Sequence, residues 1–106
     1  MTETKIYVGL NDALTKEQRF ETEKYLSILK NVCFSYHVAF SVHTQEGGYF
    51  HEDGQYTQEN SLVLSLIDVP EETVGEIARD LCVFFRQESV LISISEINSY
   101  FIQETL

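Results

Sequence analysis

Along this chain the apolar residues recur now at every second position and now at every third or fourth, and the order of those periods restricts it to very few folds. Lys5-Ile6-Tyr7-Val8-Gly9-Leu10 is a β-rich run that ends in the turn residues Asn11-Asp12. Thr15-Lys16-Glu17-Gln18 reads as a capping box, with Thr15 as N-cap and Gln18 reaching back, and predicts a helix over 16–34. Its buried stripe is Tyr25, Leu29, Val32, Cys33 and Tyr36. His37 to His43 then alternates, with Val38, Phe40 and Val42 on the core face. Gly47 to Tyr56 reads as a small hairpin whose type I′ turn is Asp53-Gly54. Ser61 to Ile67 is the next strand, inward at Leu62, Leu64 and Leu66. Asp68-Val69-Pro70-Glu71-Glu72 opens a second helix, buried along Val74, Ile77, Ala78, Leu81 and Phe84 or Phe85. Val90 to Ile97 closes the pattern as a strand, inward at Val90, Ile92 and Ile94. The tail, Asn98 to Leu106, either continues as an edge strand through Tyr100 and Ile102 or docks on a neighbouring subunit.

The order β-α-β-β-α-β predicts an α+β fold, a ferredoxin-like sandwich with two helices on one face of an antiparallel sheet. A β-hairpin is inserted at about 47–60. A length of 106 residues suits one domain over 1–106, with neither repeat nor linker.

The charge is placed unevenly. Lys5, Lys16, Arg19, Lys24 and Lys30 balance Glu3, Asp12, Glu17, Glu21 and Glu23, so the whole net charge of −10 falls on residues 44–106, whose only bases are Arg79 and Arg86. Such a balance argues against direct nucleic-acid binding and against an anionic membrane. No apolar run approaches the roughly 20 residues of a membrane helix. MTETKIYVGL lacks the basic start and long apolar core of a signal peptide, so a cytoplasmic location is expected. Cys33 and Cys82 have no metal-type spacing and sit on apolar helix stripes, which reads as free, buried thiols.

Several chemistries lack their residues. There is no Gly-x-Ser-x-Gly elbow, phosphate loop, dinucleotide fingerprint or Cys-x-x-Cys pair. His37 and His43 share a strand face but lie about 20 Å apart, too far for one metal. No cofactor and no metal are expected.

Three segments carry a family resemblance: Thr4-Lys5-Ile6-Tyr7-Val8-Gly9-Leu10; Gly48-Tyr49 with Asp53-Gly54 and Glu59-Asn60-Ser61; and Gln87-Glu88-Ser89-Val90. In order and spacing they resemble a small family of uncharacterised proteins, a domain of unknown function in bacteria and their mobile elements. Tyr49 stands where that family tends to carry tryptophan. The resemblance implies an α+β fold of compact size and lends no activity.

With the strand order 4-1-3-2, the polar residues of these segments meet at one edge of the sheet. Asn11, Asp12, Tyr49, Glu59, Gln87, Glu88 and Ser89 are therefore the expected ligand-binding set, with none assigned a catalytic role. The N-terminus of the first helix is expected to add N–H donors at the same edge. The competing reading is structural: Gly9 serves a turn, Asp53-Gly54 a hairpin, and Glu59 with Ser89 backbone donors. The first functional reading is a non-enzymatic, oligomeric binding protein, most simply a dimer, with a phage or mobile-element accessory or anti-defence role. It binds a small molecule or a basic host protein. Its outward sheet face, Ala39, Ser41, Val63, Ser65, Ile67, Leu91 and Ser93, is small and partly apolar. The alternatives are an acidic nucleic-acid mimic that inhibits a host defence protein, and a small hydrolase or isomerase using Glu59 and Glu88.

Overall fold

In the computed structural model, which describes residues 1–105, the elements are β1 (Thr2–Gly9), α1 (Thr22–Ser35), β2 (Ser41–Phe50), β3 (Tyr56–Ile67), α2 (Glu71–Phe84) and β4 (Leu91–Glu96). The strands form one antiparallel sheet in the order β2-β3-β1-β4. This is the expected ferredoxin-like α+β topology. Its core is built by register: Ile6 faces Leu64, Val8 faces Leu62, and Thr4 faces Leu66. Tyr25, Leu29, Val32 and Cys33 of α1 and Val74, Ile77, Ala78 and Leu81 of α2 close over that face. Phe85, not Phe84, completes the second stripe.

The first helix starts later than the capping box implied. Thr15 caps no helix, and residues 16–21 lie outside α1. Asp12 supplies the reason. Its Oδ1 accepts the N–H groups of Leu14 and Thr15 at 2.8 and 3.0 Å, closing a tight turn that competes with helix. Lys16 follows at φ 64°, a left-handed conformation no α-helix can include.

Both helices end in the same way. After α1, His37 adopts φ 55° and donates to the Phe34 carbonyl, while Val38 donates to that of Cys33. After α2, Arg86 adopts φ 54° and donates to Val83, while Gln87 donates to Cys82. These are Schellman endings with histidine and arginine at the position that glycine usually takes. The first displaces the second strand: it begins at Ser41, not His37, and runs on to Phe50.

The expected small hairpin at 47–60 is thus the outer half of one long ribbon, paired from Ser41↔Ser65 to Phe50↔Tyr56. β3 accordingly starts at Tyr56 rather than Ser61. The ribbon's turn is not type I′. Only Gly54 has positive φ, 85°, and its N–H donates to the His51 carbonyl, as in a type I turn followed by a left-handed glycine.

At the other edge β4 is one residue shorter at each end than expected. Ile92 and Ile94 face inward yet remain 37% and 48% exposed, because β4 is an edge strand. Asn98–Thr105 adds no strand to the sheet. On the outer face Val63 is covered, with Tyr7 and His43 beside it in register, so the outward set is less open than the sequence implied. No helix among the described residues is long and apolar enough to cross a membrane.

Cys33 is fully buried, and burial pushes its thiol up to about 11; Cys82 is half-buried, and both are free. Since the thiolate is the reactive form, Cys33 should resist an aromatic disulfide reagent at pH 8 until denaturant is added. Cys82→Ser should leave a folded protein with no fast-labelling thiol; rapid labelling of that variant would contradict the burial.

Candidate functional site

Beyond the end of β1 lies a cavity of about 350 Å³. The loop after β1 forms one wall through Asn11, Asp12, Ala13 and Lys16. The hairpin ribbon supplies Tyr49 and Glu59, and the segment between α2 and β4 supplies Gln87, Glu88 and Ser89. All seven sequence candidates border this one space. Antiparallel pairing accounts for the convergence, because it returns three separate segments to the end of β1. The N-terminus of α1 takes no part. That helix begins at Thr22, none of its residues borders the cavity, and the turn at 12–16 stands where helix N–H groups were expected.

The seven residues divide by what already holds them. Gln87 donates its amide N–H to the Asn11 carbonyl at 2.6 Å, and Asn11 donates its own to the Gln58 carbonyl at 3.2 Å. These amides join walls. Asp12 joins them more firmly, with a side chain 1% exposed. Besides its two backbone donors, its Oδ2 meets Arg86 Nε at 2.6 Å and Arg19 Nη1 at 3.8 Å. The Thr15 N–H foremost, then the Leu14 N–H and the two guanidiniums, outweigh burial and hold the Asp12 carboxyl below the usual carboxylate range. Ala13 N–H donates to the Arg86 carbonyl at 2.9 Å, so the loop and the helix ending are stitched twice.

Glu59 is positioned yet available. Its Oε2 accepts the Asn11 N–H at 3.1 Å. The carboxylate lies across Gly9, where an added Cβ would come within 2.6 Å of Oε2. Gly9 is therefore required by a close approach: any side chain there displaces Glu59. Tyr49 is 49% exposed and meets His51 edge-on, ring centroids 5.1 Å apart; His51 Nε2 in turn shares a hydrogen bond with the Thr57 hydroxyl at 2.7 Å. Glu88 and Ser89 make no side-chain hydrogen bond among the described residues. Of the structural reading, Glu59 does take a backbone donor, whereas Ser89 takes none and Gly9 lies in β1 rather than in a turn. Asn11, Asp12 and Gln87 are spent on holding the walls, and Tyr49, Glu88, Ser89 and the second Glu59 oxygen carry no side-chain hydrogen bond among the described residues.

Two contributors escaped the sequence reading. Lys16 was assigned to a helix, yet it borders the cavity. Arg86 had a signal that went unused: an isolated base beside Gln87-Glu88-Ser89, in the acidic part of the chain, needs a carboxylate partner. Among the described residues no three His, Cys, Asp or Glu side chains gather as a metal site requires.

No protein-family model and no curated protein sequence matches the chain. Solved structures do. The chain is 26% identical to a phage SAM lyase in complex with S-methyl-5′-thioadenosine, covering 90% of this chain and 80% of that one, with a TM-score of 0.68. It is 23% identical to a phage SAM lyase in the apo state, covering 96% and 92%, with a TM-score of 0.70. The periplasmic divalent cation tolerance protein CutA from Archaeoglobus fulgidus, 12% identical over 93% and 87% with a TM-score of 0.58, shares the fold alone.

Asp12 gives a pH test. Its folded-state carboxyl is lowered, so the stability it contributes is present above the ordinary carboxylate range and is lost as pH falls through the lowered value. Urea midpoints of the wild type should fall in that acid window, and those of Asp12→Asn should start lower and fall less. Parallel curves for the two proteins would contradict the role given to Asp12.

Proposed function

We propose that this chain binds S-adenosylmethionine in the cavity beyond β1 and cleaves it to S-methyl-5′-thioadenosine. The observation that carries the reading is the 26% identity, over 90% of this chain, to a phage SAM lyase solved with that molecule bound. The cavity supports it independently. Its volume of about 350 Å³ falls within the range of small-molecule sites. Tyr49 offers a half-exposed ring for a purine, and stacking of a base on an aromatic side chain is worth about 1–3 kcal/mol. Glu59 and Glu88 accept hydrogen bonds from sugar hydroxyls or an ammonium group, and their charge suits a sulfonium. A net charge of −10 draws a cationic substrate toward the protein.

Cleavage breaks the bond between the sulfonium sulfur and the terminal methylene of the amino-acid chain. The electron pair stays on sulfur and gives the neutral thioether. A lyase adds no water, so a carboxylate oxygen of the same four-carbon fragment bonds to the vacated carbon and closes a five-membered lactone, with no proton left to place. The protein's contribution is alignment. Glu59, fixed by Gly9 and the Asn11 N–H, holds one part of the substrate, while Glu88 and Ser89 remain free to hold another. This keeps the ligand-binding edge of the first sequence reading and gives the paired carboxylates of the third a positional role. The phage setting of the similar lyase agrees with a mobile-element accessory role.

We propose, too, that the chain forms a homo-oligomer, in the first instance a dimer. Tyr100, Phe101 and Ile102 are 79–87% exposed in succession, and Ile67 and Leu91 stand open on the outer sheet face. Large apolar side chains left open on the sheet face and along the tail support an interaction site. Light scattering at tens of micromolar should give more than one chain mass, and Ile67→Lys should shift it toward one, since the interface would bury an unpaired charge. A single-chain mass for the wild type would remove the proposal.

The activity is tested by incubating the protein with S-adenosylmethionine and separating the products. S-methyl-5′-thioadenosine should appear, and Glu59→Gln and Gly9→Ala should each cut its rate by about tenfold or more, in keeping with one lost charged hydrogen bond. Gly9→Ala should keep the wild-type melting temperature, because the clash falls on a side-chain end. No product, together with no binding of the thioadenosine by calorimetry, would overturn the reading.

A further inference from the structure

Among the described residues one cation borders the cavity, and we propose, resting on the function just given, that Lys16 makes the site specific for sulfonium nucleosides that keep a free α-carboxylate. Lys16 is placed by the same turn that Asp12 closes. Its N–H donates to the Asp12 carbonyl at 2.8 Å, and its backbone takes φ 64°, which turns the chain sharply at the cavity wall. Its ammonium is in no ion pair among the described residues.

The balance of charge around the space follows from the pairings. The Asp12 carboxylate is matched by Arg86 at 2.6 Å and leaves the account. What faces a ligand is then Glu59 and Glu88, negative, and Lys16, positive. S-adenosylmethionine presents the mirror pattern: a positive sulfonium, a positive ammonium and one negative carboxylate. Decarboxylated S-adenosylmethionine keeps both positive groups and loses the negative one. S-methyl-5′-thioadenosine carries none of the three. A lysine aimed at the carboxylate therefore separates substrate from its decarboxylated analogue, and holds substrate without holding the thioadenosine product. Charge-assisted hydrogen bonds between ammonium and carboxylate are strong enough to give such selectivity. Lysine suits the task because its flexible stem lets one compact charge follow the ligand.

The test compares wild type, Lys16→Asn and Lys16→Arg with three probes: S-adenosylmethionine, its decarboxylated form and S-methyl-5′-thioadenosine. Asparagine tolerates the left-handed backbone, so the turn is kept. In Lys16→Asn the half-saturating concentration of S-adenosylmethionine should rise about tenfold or more, as for loss of one charged partner. Its affinity for the thioadenosine should stay within about twofold of wild type, a difference well under 1.4 kcal/mol. Wild type should prefer S-adenosylmethionine to the decarboxylated form, Lys16→Asn should lose that preference, and Lys16→Arg should restore most of it. An unchanged preference in Lys16→Asn, or a parallel loss of thioadenosine binding, would overturn the role of Lys16 while leaving the site intact. A wild type that binds none of the three probes would overturn the site itself.

Discussion

The buried carboxylate of Asp12 locks the loop after β1 to the ending of α2. Ile6, Val8, Leu62 and Leu64 determine where the sheet lies, and the helix stripes determine how it is covered. Leu10 and Phe85 carry the loop after β1 and the ending of α2 into that core, and beyond them polar groups hold the two segments together. Asp12 does so with one oxygen on two backbone N–H groups and the other on Arg86. A buried charge is tolerable only when paired and hydrogen-bonded, and removing a partner from such a cluster is costly. The left-handed backbones of Lys16 and Arg86 belong to the same knot: the first follows the Asp12 turn, and the second is the helix ending that brings the guanidinium alongside.

The cavity is a consequence of that knot and of strand order. Antiparallel pairing brings Glu59 beside Gly9, and the Asn11 N–H orients it. The Gln87 amide draws the α2–β4 segment against the same loop, which places Glu88 and Ser89 on the far wall. Scaffold and site therefore share residues unequally. Asn11, Asp12 and Gln87 hold the walls, and their release should be felt as lost stability. Tyr49, Glu59, Glu88 and Lys16 face the space, and their replacement should be felt in binding.

Much of this was legible in the sequence because burial writes a clear period. Leu62, Leu64 and Leu66 alternate, Val74, Ile77, Ala78 and Leu81 recur as a helix stripe, and the strand order that follows from them brings the seven polar candidates to one edge. The errors fall where local polar bonds override period. Thr15 and Gln18 have the spacing of a capping box, but Asp12 reached the Leu14 and Thr15 N–H groups first, and the helix began at Thr22. His37 fits a strand alternation, yet it serves as a left-handed helix ending, for which sequence offers no glycine as a cue. Lys16 was lost to the site for the same reason, having been drawn into a helix that does not form there.

Amide NMR gives the most direct measurement of the central claim, that positioned carboxylates beyond β1 receive an adenosyl ligand. The Asn11 N–H reports on Glu59 through its own hydrogen bond, and the amides of Tyr49, Glu88 and Ser89 report on the remaining walls. On titration with S-methyl-5′-thioadenosine these signals should move together and saturate. Those of Thr2 and Asp68, hydrogen-bonded to each other at the opposite end of β1, should stay still. Shifts scattered over the helices, or none at Asn11 at saturating ligand, would contradict the account.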